Sequence, residues 1–116
     1  LPVYVTLVHD NSATEVCTNT TNGSDRNKLG NHRFLRLNIS TSGSYTLRLT
    51  PSGLNDLDAY IYLQGSLVAY NQDFGTGIVN VTTNLQSGTY VADTLAYDSS
   101  GSNVVGTCYD VQLISN

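Results

Sequence analysis

Methionine and tryptophan are absent from this chain of 116 residues, glutamate occurs once, and lysine and arginine together number five. The shortage of cations excludes a nucleic-acid interface, because neutralising phosphates needs a basic face and the formal net charge here is −4. It excludes a polybasic membrane anchor for the same reason. No apolar run approaches the roughly 18 residues that a membrane helix needs, so membrane insertion is not expected. Nor does the chain open with the basic and then apolar stretch of a signal peptide. A chain that starts Leu1-Pro2-Val3 without an initiator methionine reads as an excised piece or a mature product, its export signal cut away or lying upstream.

What is abundant is small and polar. Serine, threonine and asparagine number 12, 14 and 12, charged residues make up only 12 %, and there are eight tyrosines. That is the profile of a secreted, β-rich extracellular domain. The length suits one domain, 1–116, around one core, and a monomer is expected.

The two cysteines, Cys17 and Cys108, lie near opposite ends of the chain. Neither has a second cysteine or a histidine at ligand spacing, which argues against a metal site. Two buried free thiols are one reading. A disulfide fits the composition better, and it would pin an N-terminal segment onto the last strand.

Period-2 patterning runs through the sequence and no helical period appears. Val3, Val5 and Leu7 alternate with polar positions or Tyr4, as do Leu35, Leu37 and Ile39, and Tyr45, Leu47 and Leu49. Ala59, Ile61 and Leu63 share one face of a strand whose other face carries Tyr60 and Tyr62. Further strands are expected at Leu67–Asn71, Ile78–Thr83, Thr89–Tyr97 and Cys108–Ile114, the last with Tyr109, Val111 and Leu113 inward. Turn signals punctuate them at Ser42-Gly43-Ser44, Pro51-Ser52-Gly53, Gln64-Gly65-Ser66, Gly75-Thr76-Gly77, Gln86-Ser87-Gly88 and Ser99–Asn103. The pattern predicts an all-β fold, an antiparallel β-sandwich of about eight strands. Residues 1–32 are expected to form one strand and a polar loop, Thr18–Asn31, held at Cys17.

Catalytic chemistry has little to draw on. His9 and His32 are the only side chains that ordinarily titrate near neutral pH, and no Gly-x-Ser-x-Gly elbow is present. His9 precedes Asp10 and serines are plentiful, so a small hydrolase built on His9 or His32 is one alternative; it needs a serine within hydrogen-bond reach of the imidazole. Asp73-Phe74-Gly75 is a turn and not part of a kinase, whose other motifs are missing.

Asn55-Asp56-Leu57-Asp58 leads into a strand, and Asp73 sits in a later turn. Hard oxygen ligands at alternate positions suit Ca²⁺, so Asp56, Asp58 and Asp73 form a candidate cation site, against the plainer reading that they cap turns and keep a strand edge soluble. Tyr60, Tyr62, Tyr70 and Tyr97 are candidates for a ligand platform. Cross-strand tyrosine packing is the plainer reading, and a carbohydrate-binding module with exposed tyrosines the alternative. Glycosylation sequons at Asn19, Asn22, Asn38 and Asn80 are the number chance supplies in such a composition.

Asp56-Leu57-Asp58-Ala59-Tyr60-Ile61-Tyr62-Leu63, then Gly65-Ser66-Leu67-Val68-Ala69, Asp73-Phe74-Gly75 and Leu85-Gln86-Ser87-Gly88-Thr89-Tyr90-Val91 together carry a family pattern. Their order and spacing, with Ser42-Gly43-Ser44-Tyr45-Thr46-Leu47 before them, resemble the bacterial pre-peptidase C-terminal domains. The resemblance covers residues 33–114 and implies a jelly-roll-like β-sandwich attached to a secreted hydrolase, commonly a peptidase. It implies a non-catalytic accessory domain, often removed in maturation, that serves secretion or attaches the parent catalytic domain to insoluble protein or polysaccharide. Some such domains bind calcium. The chain departs from the pattern in its N-terminal extension, its cysteine pair and the polar Asp93-Thr94 within a strand.

Overall fold

The computed structural model describes residues 3–18, 30–99 and 106–116. Nine strands are present among them: β1 (Val3–Val8), β2 (Thr14–Cys17), β3 (His32–Ile39), β4 (Gly43–Pro51), β5 (Asn55–Leu63), β6 (Ser66–Asn71), β7 (Val79–Leu85), β8 (Gly88–Asp98) and β9 (Cys108–Ser115). They form two sheets, one ordered β1-β3-β8-β5-β6 and the other β2-β9-β4-β7. The sheets face each other across a core in which Leu35, Leu37, Leu47, Leu49, Leu57, Ile61, Val111 and Leu113 are buried. These are the inward residues of the alternating runs, as a pleated strand with one wet face requires.

Only the β5–β6 connection stays within one sheet; every other consecutive pair of strands crosses between sheets. That hairpin turns on Gln64 and Gly65, at φ +49° and +83°. Positive φ at both central residues matches the right-handed twist of the flanking strands, and glycine takes it without steric cost.

Several buried polar side chains are matched. Arg33 is buried, and its guanidinium donates to the carbonyls of Cys17, Gly30 and His32 while lying 5.8 Å from the centre of the Tyr4 ring. Cys17 and Cys108 are cross-strand partners of β2 and β9 and are joined by a disulfide.

Several expectations need correction. β2 is a ninth strand, lying just before the expected Thr18–Asn31 loop in residues 1–32, where one strand was expected; four residues with only Val16 fully buried carry too short a pattern to be seen. β1 runs parallel to β3, so the first sheet is mixed and not wholly antiparallel. Leu63 is exposed, because the register slips between Ile61 and Tyr62 where β5 meets β6. Ile78 lies before β7 and is likewise exposed. Residues 19–29, with the sequons at Asn19 and Asn22, and residues 100–103 of the Ser99–Asn103 turn lie outside the described residues.

Candidate functional site

The face of the five-stranded sheet turned away from the core is where aromatic and acidic side chains meet. β5 presents Asp56, Asp58, Tyr60 and Tyr62 there, because Leu57, Ala59 and Ile61 take the inner positions. β8 runs beside it, with Asp56 opposite Tyr97, Tyr60 opposite Asp93 and Tyr62 opposite Val91. On the far side of β8, Phe34 of β3 faces Asp93 and Arg36 faces Val91. On the near side, Tyr70 of β6 faces Tyr60. One row across four strands therefore reads Phe34, Asp93, Tyr60, Tyr70.

The rings in this row are ordered. Tyr60 and Tyr70 stack at 5.9 Å between centroids with 17° between planes. The Tyr60 hydroxyl donates to Gln72 Oε1 at 2.7 Å. His32 stacks on Phe34 at 6.2 Å, and its Nδ1 lies 2.9 Å from Asp93 Oδ1. Burial raises the Asp93 pKa above the usual carboxylate value, and the hydrogen bond and charge of His32 work in the opposite direction. Between these side chains and the β5–β6 hairpin opens a cleft of about 360 Å³ lined by Phe34, Tyr62, Gln64, Gly65, Val91 and Asp93. A second, polar depression of about 520 Å³ lies between β6 and β7, where Tyr70, Gln72 and Asp73 meet Asn80 and Thr82.

The four tyrosines singled out from the sequence thus share one face but not one environment. Tyr60 and Tyr70 form the stacked pair, Tyr62 lines the cleft, and Tyr97 stands beside the acidic pair. Phe34 and Asp93 complete the face and were not among the sequence candidates. The signal for Phe34 was available, since an aromatic residue at the outward phase of β3 is out of place among Arg36 and Asn38.

Asp56 and Asp58 are 5 % and 9 % exposed, and in each the Oδ1 atom is buried without a hydrogen-bond partner. Burial raises the Asp56 pKa, with the Gly75 backbone N–H, in the turn after β6, working in the opposite direction. Burial, with Asp56 and Asp73 as like-charged neighbours, pushes Asp58 up to about 6. Asp73 is exposed in that turn, its N–H bonded to Asn71 Oδ1. The three carboxylates are neighbours, yet they do not form a single compact ligand set. Among the described residues, the potential ligand atoms of Glu15, Cys17 and Cys108 do all fall within 4.8 Å, but those sulfurs are bonded to each other.

At the end of β1, His9 meets the serine that the hydrolase alternative requires. Its Nε2 lies 2.9 Å from Ser40 Oγ and its Nδ1 3.1 Å from Asp10 Oδ2. Asp10 Oδ1 also accepts the Ser115 N–H, and this bond together with His9 holds the Asp10 carboxyl below its ordinary pKa. These contacts tie the β1 exit to the ends of β3 and β9, and none of these residues lines either cleft described above.

The chain shares its fold with the pre-peptidase C-terminal domain of a collagenase from Bacillus anthracis: the TM-score is 0.63 at 13 % sequence identity, over 97 % of each chain. No family model and no curated protein matches the sequence.

Proposed function

We propose that this chain is a non-catalytic accessory domain of an exported bacterial hydrolase, a peptidase in the first instance. In this reading it holds the parent catalytic domain against an insoluble protein or polysaccharide. The observation that carries the reading is the aromatic row Phe34, Tyr60, Tyr70 with Tyr62 at its cleft, on a sheet face that four strands hold rigid. Flat rings with polar tips suit an extended polymer, and a shallow face binds weakly. Tethering to an enzyme raises the effective concentration and compensates for that weakness. The shared fold supports the link to a peptidase. The disulfide supports an oxidising, extracellular location.

Co-sedimentation of the isolated chain with insoluble protein and with polysaccharide tests the proposal. Retention that falls in Tyr62→Ala and Phe34→Ala supports it. Retention on polysaccharide alone assigns the chain to the carbohydrate-binding class. Failure to bind either polymer leaves a role in secretion or maturation.

The Ser40–His9–Asp10 contacts favour a second reading, a small hydrolase. With Nδ1–H donating to Asp10, Nε2 accepts the Ser40 hydroxyl proton, which is the polarity that nucleophile activation needs. Such a site also needs donors for the developing oxyanion. Turnover of aryl esters that is lost in both Ser40→Ala and His9→Ala would establish this reading in place of the first.

A further inference from the structure

We propose that the cleft beside the β5–β6 hairpin takes a basic side chain, lysine or arginine, of the protein that the domain holds. This rests on the reading of the aromatic face as a polymer platform, and it names the residue that the face selects. The cleft, of about 360 Å³, has a floor and two walls of different chemistry. Val91 and Asp93 share the outward side of β8, the central strand of its sheet, and form the floor. Phe34 of β3 lies opposite Asp93 and Tyr62 of β5 opposite Val91, so an aromatic ring stands on each side. Gln64 and Gly65 of the hairpin line one end, where the glutamine amide offers a further oxygen.

The slot therefore joins an apolar stretch to a carboxylate. The aliphatic stem of a lysine or arginine matches Val91 and the ring faces, and its charged head matches Asp93. A neutral sugar or an aliphatic side chain gives Asp93 no counter-charge, and an acidic residue is repelled. Among the described residues its only ion-pair partner is His32, whose Nδ1 lies 2.9 and 3.2 Å from the two oxygens; no lysine or arginine pairs with it. Burial raises the Asp93 pKa despite that contact, as for a carboxylate short of counter-charge. The same imidazole stacks on Phe34, so wall and carboxylate are held in place before a ligand arrives.

Charge across the face points the same way. Asp56 and Asp58 project from the same side of β5, and the chain carries a formal net charge of −4. Arg33 is buried and Arg48 belongs to the other sheet, which leaves Arg36 as the one described lysine or arginine on this face. Arg36 donates to Thr6 Oγ1 on β1 and does not line the cleft. An acidic, aromatic surface suits a polymer that bears many basic side chains.

Capped tripeptides titrated into the isotope-labelled chain and followed by NMR test the assignment. Acetyl-Gly-Lys-Gly-amide and its arginine counterpart are expected to shift the amide signals of Phe34, Val91 and Asp93 to saturation. The norleucine counterpart keeps the stem and lacks the charge, and it should bind about fivefold more weakly. Asp93→Asn should abolish that difference, whereas Asp110→Asn on β9 preserves it. No binding by any of the peptides, or equal affinity for the lysine and norleucine forms in wild type, overturns the proposal, and neither result depends on a variant that folds. A preference for the cation that survives Asp93→Asn overturns the assignment to this carboxylate. Co-sedimentation with insoluble protein separates the two proposals: retention that falls in Tyr62→Ala but not in Asp93→Asn leaves polymer binding standing and overturns the basic side chain. Retention on partly deacetylated chitin with none on protein overturns the choice of a protein.

Discussion

Thr94 of β8 and Tyr109 of β9 join the two sheets through a hydrogen bond of 2.7 Å between their hydroxyls, in the middle of the core. Thr94 spends its single proton on the Arg33 carbonyl at 2.9 Å, so the Tyr109 phenol is the donor. Burial pushes the Tyr109 phenol up to about 12, with the Thr94 hydrogen bond and Arg33 working against it. Thr94→Val keeps the shape but strands the phenol. The expected loss is about 1–3 kcal/mol. Adding Tyr109→Phe should recover most of it, because the unmatched donor is then gone. Urea unfolding of the two single variants and the double variant checks this, and strictly additive losses would refute it.

Reduction should destabilise the protein strongly. The Cys17–Cys108 bond closes a loop with a sequence separation of 91. Chain-entropy estimates give about 4–5 kcal/mol for a loop of this size. Intact mass should show no uptake of alkylating reagent before reduction and two additions afterwards. Thermal melts with and without reductant then measure the loss.

The aromatic face is expected to divide by function. Tyr62→Ala, at the cleft, should weaken polymer binding by about fivefold or more, as loss of about 1 kcal/mol at a contact aromatic does. Tyr97→Ala, beside Asp56 and away from the cleft, should leave polymer binding intact. Binding isotherms on the same polymer, with melting temperatures as a folding control, separate the two outcomes.

Asp93 makes a pH-dependent contribution with a definite sign. Its carboxyl, only 15 % exposed, has a raised pKa in the folded state, chiefly through burial. The folded state therefore holds the proton more tightly than the unfolded chain. That contribution is fully present below the ordinary carboxylate value near 3.8 and is lost as pH rises through the raised folded value. Asp93→Asn keeps an acceptor for His32 and removes the titration. Relative to wild type it should be more stable at pH 7 than at pH 4. Melting curves of both proteins in EDTA across that range provide the check, and a parallel offset at every pH would refute it.

Much of the architecture was legible along the chain. Alternation sorted the inward residues of β3, β4 and β9 correctly, because a pleated strand with one wet face leaves a period of two that survives without any partner. The Gln64-Gly65 turn was legible for a similarly local reason, since only certain residues tolerate positive φ. The sequence also placed Tyr60 and Tyr62 on one side of β5 by parity alone, and the structure extends that side back to Asp56 and Asp58.

Partnership was not legible, because it depends on which strands become neighbours. Nothing local specifies that β1 lies parallel to β3, or that the four residues of β2 pair with a strand some ninety positions later. Asp93 and Thr94 looked like polar interruptions of a strand. Tertiary structure sends one outward to His32 and the other inward to Tyr109 and the Arg33 carbonyl, so each polar group finds its partner on a different side of the sheet. The same holds for His9, whose serine is 31 residues away, just past the end of β3. Composition and period fixed which residues could be buried. Only the closing of the two sheets decided which buried polar atoms were matched and which, at Asp56 and Asp58, were left without a partner.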